Sequence, residues 1–115
     1  MNRVASLTPT EVLKWLEGTL AEFPERAAYQ EVADSMLWKT TNIVREERDA
    51  IVGALRLTLQ RDAVPWLALD LAVHHRLTEL RPDLEAVVEA MERGGRYSAY
   101  YREFAPPFRE KLSKL

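Results

Sequence analysis

Apolar residues recur at spacings of three and four along nearly the whole chain, and strict apolar–polar alternation is rare. A three-four spacing gathers side chains on one face of a 3.6-residue helix, so the pattern predicts helices throughout. The 115 residues include only four Gly and six Pro, and no Asn-Gly or Asp-Gly pair marks a β-hairpin. The fold class expected is all-α: five to six helices in antiparallel pairs, forming one domain over 1–115. A chain of this length buries about two-thirds of its unfolded surface, enough for a core without disulfide or metal staples.

Start and stop signals divide the pattern. Thr8-Pro9-Thr10-Glu11 is a capping box with proline at the first helical position. The helix it opens carries Val12, Trp15, Leu16, Thr19 and Leu20 inward and must end by Phe23, because Pro24 disfavours helical geometry before it. A second helix is expected from Glu25 to about Thr40, with Tyr29, Val32, Ala33, Met36 and Leu37 inward. A third is expected from Arg45 to Gln60, with Ile51, Val52, Leu55 and Leu59 inward. Asp62 can cap a fourth, running from Ala63 to about Leu77 with Pro65 in its first turn. Apolar nearly all round, it is expected to be the most buried. Pro82 opens a fifth, stopped at Gly94-Gly95. The aromatic tail from Tyr97 is broken at Pro106-Pro107 and ends in a short helix.

Zero cysteines exclude disulfides, thiolate metal sites and thiol catalysis. No apolar run has the length of a signal peptide or of a bilayer span. A cytoplasmic location without a membrane anchor is therefore expected. The net charge of −2 conceals an uneven distribution: −3 over 1–34, +2 over 35–61, −4 over 62–93 and +3 over 94–115. The ordinary meaning of such alternation is solvated surface.

The chain also resembles itself. Residues 45–55 align with 81–91 at an offset of 36, with Arg45/Arg81, Ala50/Ala86, Val52/Val88 and Ala54/Ala90 identical. Asp34 falls on Asp70 and Val44 on Leu80. One more step back brings Val12, Trp15 and Leu16 opposite Arg48, Ile51 and Val52, and then Leu84, Val87 and Val88. A fixed period of this size marks stacked helix pairs that cannot bury their apolar faces alone. Over roughly 8–93 the chain resembles a degenerate HEAT-type or armadillo-like helical repeat, which implies a short α-solenoid with 94–115 as an aromatic, basic cap. The alternative is an irregular helical bundle. Arg48 departs from the apolar position held by Val12 and Leu84.

Catalytic constellations are missing from the sequence. His74 and His75 are adjacent, so on a helix they point about 100° apart and cannot ligate one metal together. Asp70/His74 and His75/Glu79 are each four apart and would share a face, without matching a His-Glu-x-x-His site. Glu46, Glu47 and Asp49 alternate with Arg45 and Arg48, as in salt bridging along a helix. No phosphate-cradling glycine loop and no Gly-x-Ser-x-Gly elbow occurs. The expectation is a protein without enzyme activity, cofactor or metal.

Two surface features are candidates for partner binding. Glu85, Glu89 and Glu92 form an acidic stripe on the fifth helix, opposite Leu84, Val87, Val88 and Met91, and Asp49 would extend it in the aligned third helix. Between Arg96 and Arg109, the residues Tyr97, Tyr100, Tyr101, Arg102, Phe104 and Phe108 combine arginine with aromatics, the types enriched at binding hot spots and nucleic-acid stacking surfaces. Tyr97, Tyr101 and Phe104 can share one face, and the segment stands where a repeat stack needs its last face covered.

Small, cysteine-free, acidic-bodied helical proteins of this kind resemble bacterial immunity proteins, which neutralise a cognate toxin by covering its active site. The resemblance implies a non-enzymatic protein-interaction module whose partner is a toxin or enzyme with a basic cleft, self-association being allowed. The acidic stripe would speed such association. The alternative is a small nucleic-acid-binding protein using Arg96, Tyr97, Tyr100, Tyr101, Arg102 and Arg109, whose affinity would fall steeply with salt.

Overall fold

In a computed structural model the chain is all-α, with six α-helices and two short 3-10 helices and no strand among the described residues. Those residues are 6–61, 65–93 and 99–115, the side chains of 99–101 excepted. The expected cap at Asp62, the stop at Gly94-Gly95, and Arg96 and Tyr97 lie outside them. No described helix is long and apolar enough to cross a membrane. Backbone proximity divides the chain into two compact units, Met1–Leu57 and Thr58–Leu115.

The first unit contains α1 (Pro9–Ala21), α2 (Tyr29–Glu46) and most of α3 (Arg48–Gln60). The capping box forms as expected: the Glu11 N–H donates to Thr8 Oγ1 at 3.2 Å, and the Thr8 N–H donates to Glu11 Oε1 at 2.9 Å. Helix α2 starts four residues later than expected and runs six further, because no breaker follows Thr40. It ends where Glu47 leaves helical geometry (φ −135°, ψ 48°), which also sets the start of α3 at Arg48 rather than Arg45.

Core residues of this unit include Val12, Leu13, Leu16, Ala33, Met36, Ile51, Val52 and Leu55. Thr40, fully buried, donates its hydroxyl to the Met36 carbonyl at 2.6 Å, so its polar group is satisfied within its own helix. Two residues expected inward are not: Trp15 is 37% and Tyr29 47% exposed. The α1 stripe centres on Leu16 and spreads toward Leu13, leaving Trp15 at its far edge. Tyr29 is the first residue of α2, before the helix reaches the core.

The second unit contains α4 (Pro65–His75), a 3-10 turn at Thr78–Leu80, α5 (Arg81–Arg93), a 3-10 helix at Ala99–Phe104 and α6 (Ala105–Leu112). Seven of the eleven α4 residues are buried, as its all-round apolar sequence predicts. Helix α4 stops at His75 and not at Leu77. Arg76 turns left-handed at φ 55°, the Leu77 N–H donates to the Ala72 carbonyl at 2.8 Å, and the Arg76 N–H reaches the Val73 carbonyl at 3.4 Å. That is a Schellman ending with arginine where glycine is usual, closed by the buried pair Ala72 and Leu77.

Helix α6 packs against α4 and α5, burying Ala105, Phe108 and Leu112. Pro106 and Pro107 do not break this helix. They sit in its first turn, where no N–H is needed, so the helix begins a residue before them.

Candidate interaction surfaces

Glu85, Glu89 and Glu92 are exposed on α5, as the spacing requires. The stripe is partly neutralised. Arg109 of α6 holds Glu92 through both carboxylate oxygens, Nη2 to Oε1 at 2.6 Å and Nε to Oε2 at 3.2 Å. Arg93 stands 4.0 Å from Glu89 one turn away. The hydrogen bond from Arg109 lowers the Glu92 pKa, and Glu92 in turn raises that of Arg109, with Glu89 and Glu85 adding attraction. Beside this pair lies a shallow surface depression lined by Arg81, Glu85, Arg109, Leu112 and Ser113, and Arg81 donates to the carbonyl of Leu115. Asp49 is exposed but belongs to the first unit. It lines a separate depression with Ser6, Leu7 and 45–50.

The basic aromatic segment is largely tied to its own unit. Arg102 donates to the Arg93 carbonyl at 3.1 Å, at the end of α5. Phe108 is fully buried with its ring 5.2 Å from that of Trp66, and Phe104 meets the same indole edge-on at 6.2 Å. Lys111 of α6 forms an ion pair with Asp70 of α4. Tyr100 and Tyr101 lie in the 3-10 helix at Ala99–Phe104. Arg102 and Arg109 are thus each in contact with α5.

Asp70 and His74 lie four apart within α4, as the spacing requires. The rings of His74 and His75 meet edge-on at 4.7 Å. Asp70 is drawn to Lys111, and because α4 ends at His75, Glu79 falls in the following 3-10 turn rather than on a shared helical face. Among the described residues no group of three or more His, Cys, Asp or Glu is placed to hold a metal.

Sequence reasoning passed over Trp38. It is 82% exposed, the most exposed large hydrophobic side chain among the described residues. On α2 it stands opposite the buried line Ala33, Met36 and Thr40. Glu31, Asp34, Thr41, Asn42 and Arg45, all exposed, share its face. Several of these polar groups are held along the helix: Gln30 Nε2 donates to Asp34 at 2.8 Å, Thr41 to the Leu37 carbonyl at 2.9 Å, and Arg45 to Asn42 at 2.5 Å. The result is one indole ringed by ordered polar side chains. A helical wheel drawn through Ala33, Met36 and Thr40 would have found it, since the core line fixes which face is left for solvent.

No protein-family model matches this chain, and comparison with curated proteins and with solved structures likewise finds no match.

Proposed function

We propose that this chain is a non-catalytic protein-interaction module that works by occupying the surface of another protein chain. The observation that carries this is Trp38, 82% exposed at the centre of the solvent face of an 18-residue helix. An indole there contributes nothing to the core, yet tryptophan is among the residues that dominate interface energies when a rim of polar groups excludes water around it. Covering it removes on the order of 200 Å² of aromatic surface from water. That is worth about 3–5 kcal/mol before the entropic cost of association.

The 36-residue offset supports reading the helices as a degenerate repeat. Ile51/Val87, Val52/Val88, Ala54/Ala90 and Leu55/Met91 are buried at both members of each pair. Ala50 and Ala86 differ, the first buried and the second exposed, and α4 has 11 residues against 18 in α2. A cytoplasmic, immunity-type role, in which a toxin's basic cleft is occluded, is a particular form of this proposal, supported by the exposed stripe Glu85, Glu89 and Glu92 on α5.

Affinity capture from the cells that make the protein tests the module. The expected result is a protein retained at stoichiometric level by the native chain and lost from Trp38→Ala. A native chain that retains nothing at that level, or a variant that retains it equally, contradicts the proposal.

A further inference from the structure

The face around Trp38 is self-complementary when read backwards. Glu31 lies seven residues before Trp38 and Arg45 seven after; Asp34 lies four before and Asn42 four after; Ser35 lies three before and Thr41 three after. All six share one side of α2 with the indole, exposed except for the half-buried Ser35. If two α2 helices lie antiparallel with a two-fold axis at Trp38, each residue meets its counterpart. Glu31 of one copy faces Arg45 of the other at both ends, about 21 Å apart along the helix. Asp34 faces Asn42, a carboxylate against an amide donor, and the two indoles meet at the centre.

We infer that the occupant of this face is a second copy of the chain, bound through antiparallel α2 helices; the inference rests on the interaction role proposed above and names its partner. Three features of this face favour a copy over an unrelated protein. Glu31 and Arg45 carry opposite charges at mirrored positions and so meet as two ion pairs, and Asp34 meets the neutral amide of Asn42, which is the complementarity an isologous two-fold contact asks of a single surface. Two of the groups that would meet are held in place beforehand, Asp34 by Gln30 and Arg45 by Asn42, so less of their side-chain freedom is lost on pairing. Neither contact exhausts its group: a guanidinium has five N–H donors and a carboxylate about four acceptor sites. The seam from 31 to 45 also repeats at sevens, the spacing that keeps two helices in contact as they cross at a shallow angle.

One helix face is smaller than the roughly 800 Å² per partner of a standard stable interface, so the pairing is reversible and concentration-dependent. Its end contacts are exposed ion pairs, so added salt weakens it.

Sedimentation equilibrium of the full chain at low salt, from about 10 µM to about 1 mM, reads this directly. The native chain shifts from monomer to dimer across that range. Glu31→Arg alone places arginine against Arg45 at both ends, and Arg45→Glu alone places glutamate against Glu31, so each dimerises at least about tenfold more weakly. An equimolar mixture of the two single variants recovers dimer, because each supplies the charge the other lacks, and Glu31→Arg/Arg45→Glu in one chain recovers it too.

A native chain that stays monomeric, single variants that dimerise like the native chain, or single variants that do not pair with each other would each overturn the inference. A monomeric chain whose Trp38 is still needed to retain a different protein overturns self-pairing and leaves the module standing. A monomeric chain whose Trp38→Ala variant retains that protein equally overturns both.

Discussion

The ring of Pro9, at the start of α1, occupies the space that a side chain at Gly53 in α3 would need: a Cβ built there would lie 2.7 Å from Pro9 Cγ and 2.9 Å from Pro9 Cβ. Proline opens α1 because its missing N–H is no loss at a first helical position. Glycine is found in mid-α3, where it weakens a helix, because the ring leaves it no room. The two residues thus set how closely these helices approach. Gly18, with nothing within 4 Å of its would-be Cβ, has no such constraint.

The two glycines should therefore respond in opposite directions to the same substitution. Gly18→Ala gains helix propensity and should stabilise by about 0.5–1 kcal/mol. Gly53→Ala gains the same propensity but drives a methyl into a stiff ring and should destabilise by about 1–2 kcal/mol net. Urea denaturation midpoints of the two variants against the native chain decide it.

Arg76 is the one non-glycine among the described residues with positive φ, at 55°. A side chain in that conformation costs roughly 1–2 kcal/mol, which glycine avoids while adding some chain entropy to the unfolded state. Arg76→Gly should raise stability by about 0.5–1 kcal/mol, measured by the same denaturation. A loss of stability would mean that the arginine side chain contributes more than its backbone costs.

Asp70 is buried in α4, its side chain 11% exposed, and Lys111 of α6 supplies its counter-charge from a side chain 39% exposed. Removing the cation alone takes the counter-charge from a largely buried carboxylate. Lys111→Met should destabilise the chain by roughly 1–2 kcal/mol, the lysine's own exposure keeping the effect below that of a fully buried pair. Adding Asp70→Leu should recover part of the loss, because the buried charge goes with it. Thermal unfolding of the two variants separates this account from simple loss of α6 packing, in which the second substitution would not help.

The Glu92–Arg109 contact gives a pH signature. Hydrogen bonding from Arg109 holds the Glu92 pKa below its ordinary 4.5. A group whose folded pKa is depressed contributes stability that is fully present above its unfolded value and is lost as pH falls through its folded value. The native chain should therefore exceed Glu92→Gln in stability at neutral pH, and the difference should shrink as pH falls below 4.5. Because both partners are exposed, added salt should also shrink it. Denaturation midpoints of the two proteins across that acid range test the sign.

Much of the helical frame is legible in the sequence where a residue has a local reason for its place. Thr8, Pro9 and Glu11 name the start of α1 because a capping box is satisfied within four residues. The near-continuous apolar run through Leu67, Leu69 and Leu71 names the most buried helix. Where the reason is tertiary, legibility fails. Pro106-Pro107 looks like a break until Ala105, Phe108 and Leu112 are seen to share a buried face, which makes the prolines a first turn. The junction at Glu47 carries no glycine or proline to mark it, so the sequence places the end of the second helix six residues early, at Thr40, and the start of the third three residues early, at Arg45. Glu85, Glu89 and Glu92 are exposed as their spacing implies, but the arginine that holds Glu92 comes from 17 residues beyond it. Trp38 is legible in principle, because Ala33 and Met36, both inward by their spacing, leave it on the opposite face of the helix.

The central claim is that the Trp38 face of α2 meets another protein chain. A photocrosslinking residue replacing exposed Thr41, one turn from the indole, reports this most directly when compared with the same residue replacing exposed Glu110 of α6. Irradiation in the native cell should yield one discrete adduct from position 41 and none of comparable yield from 110. Equal labelling from both positions, or no adduct from 41 alone, would contradict the account.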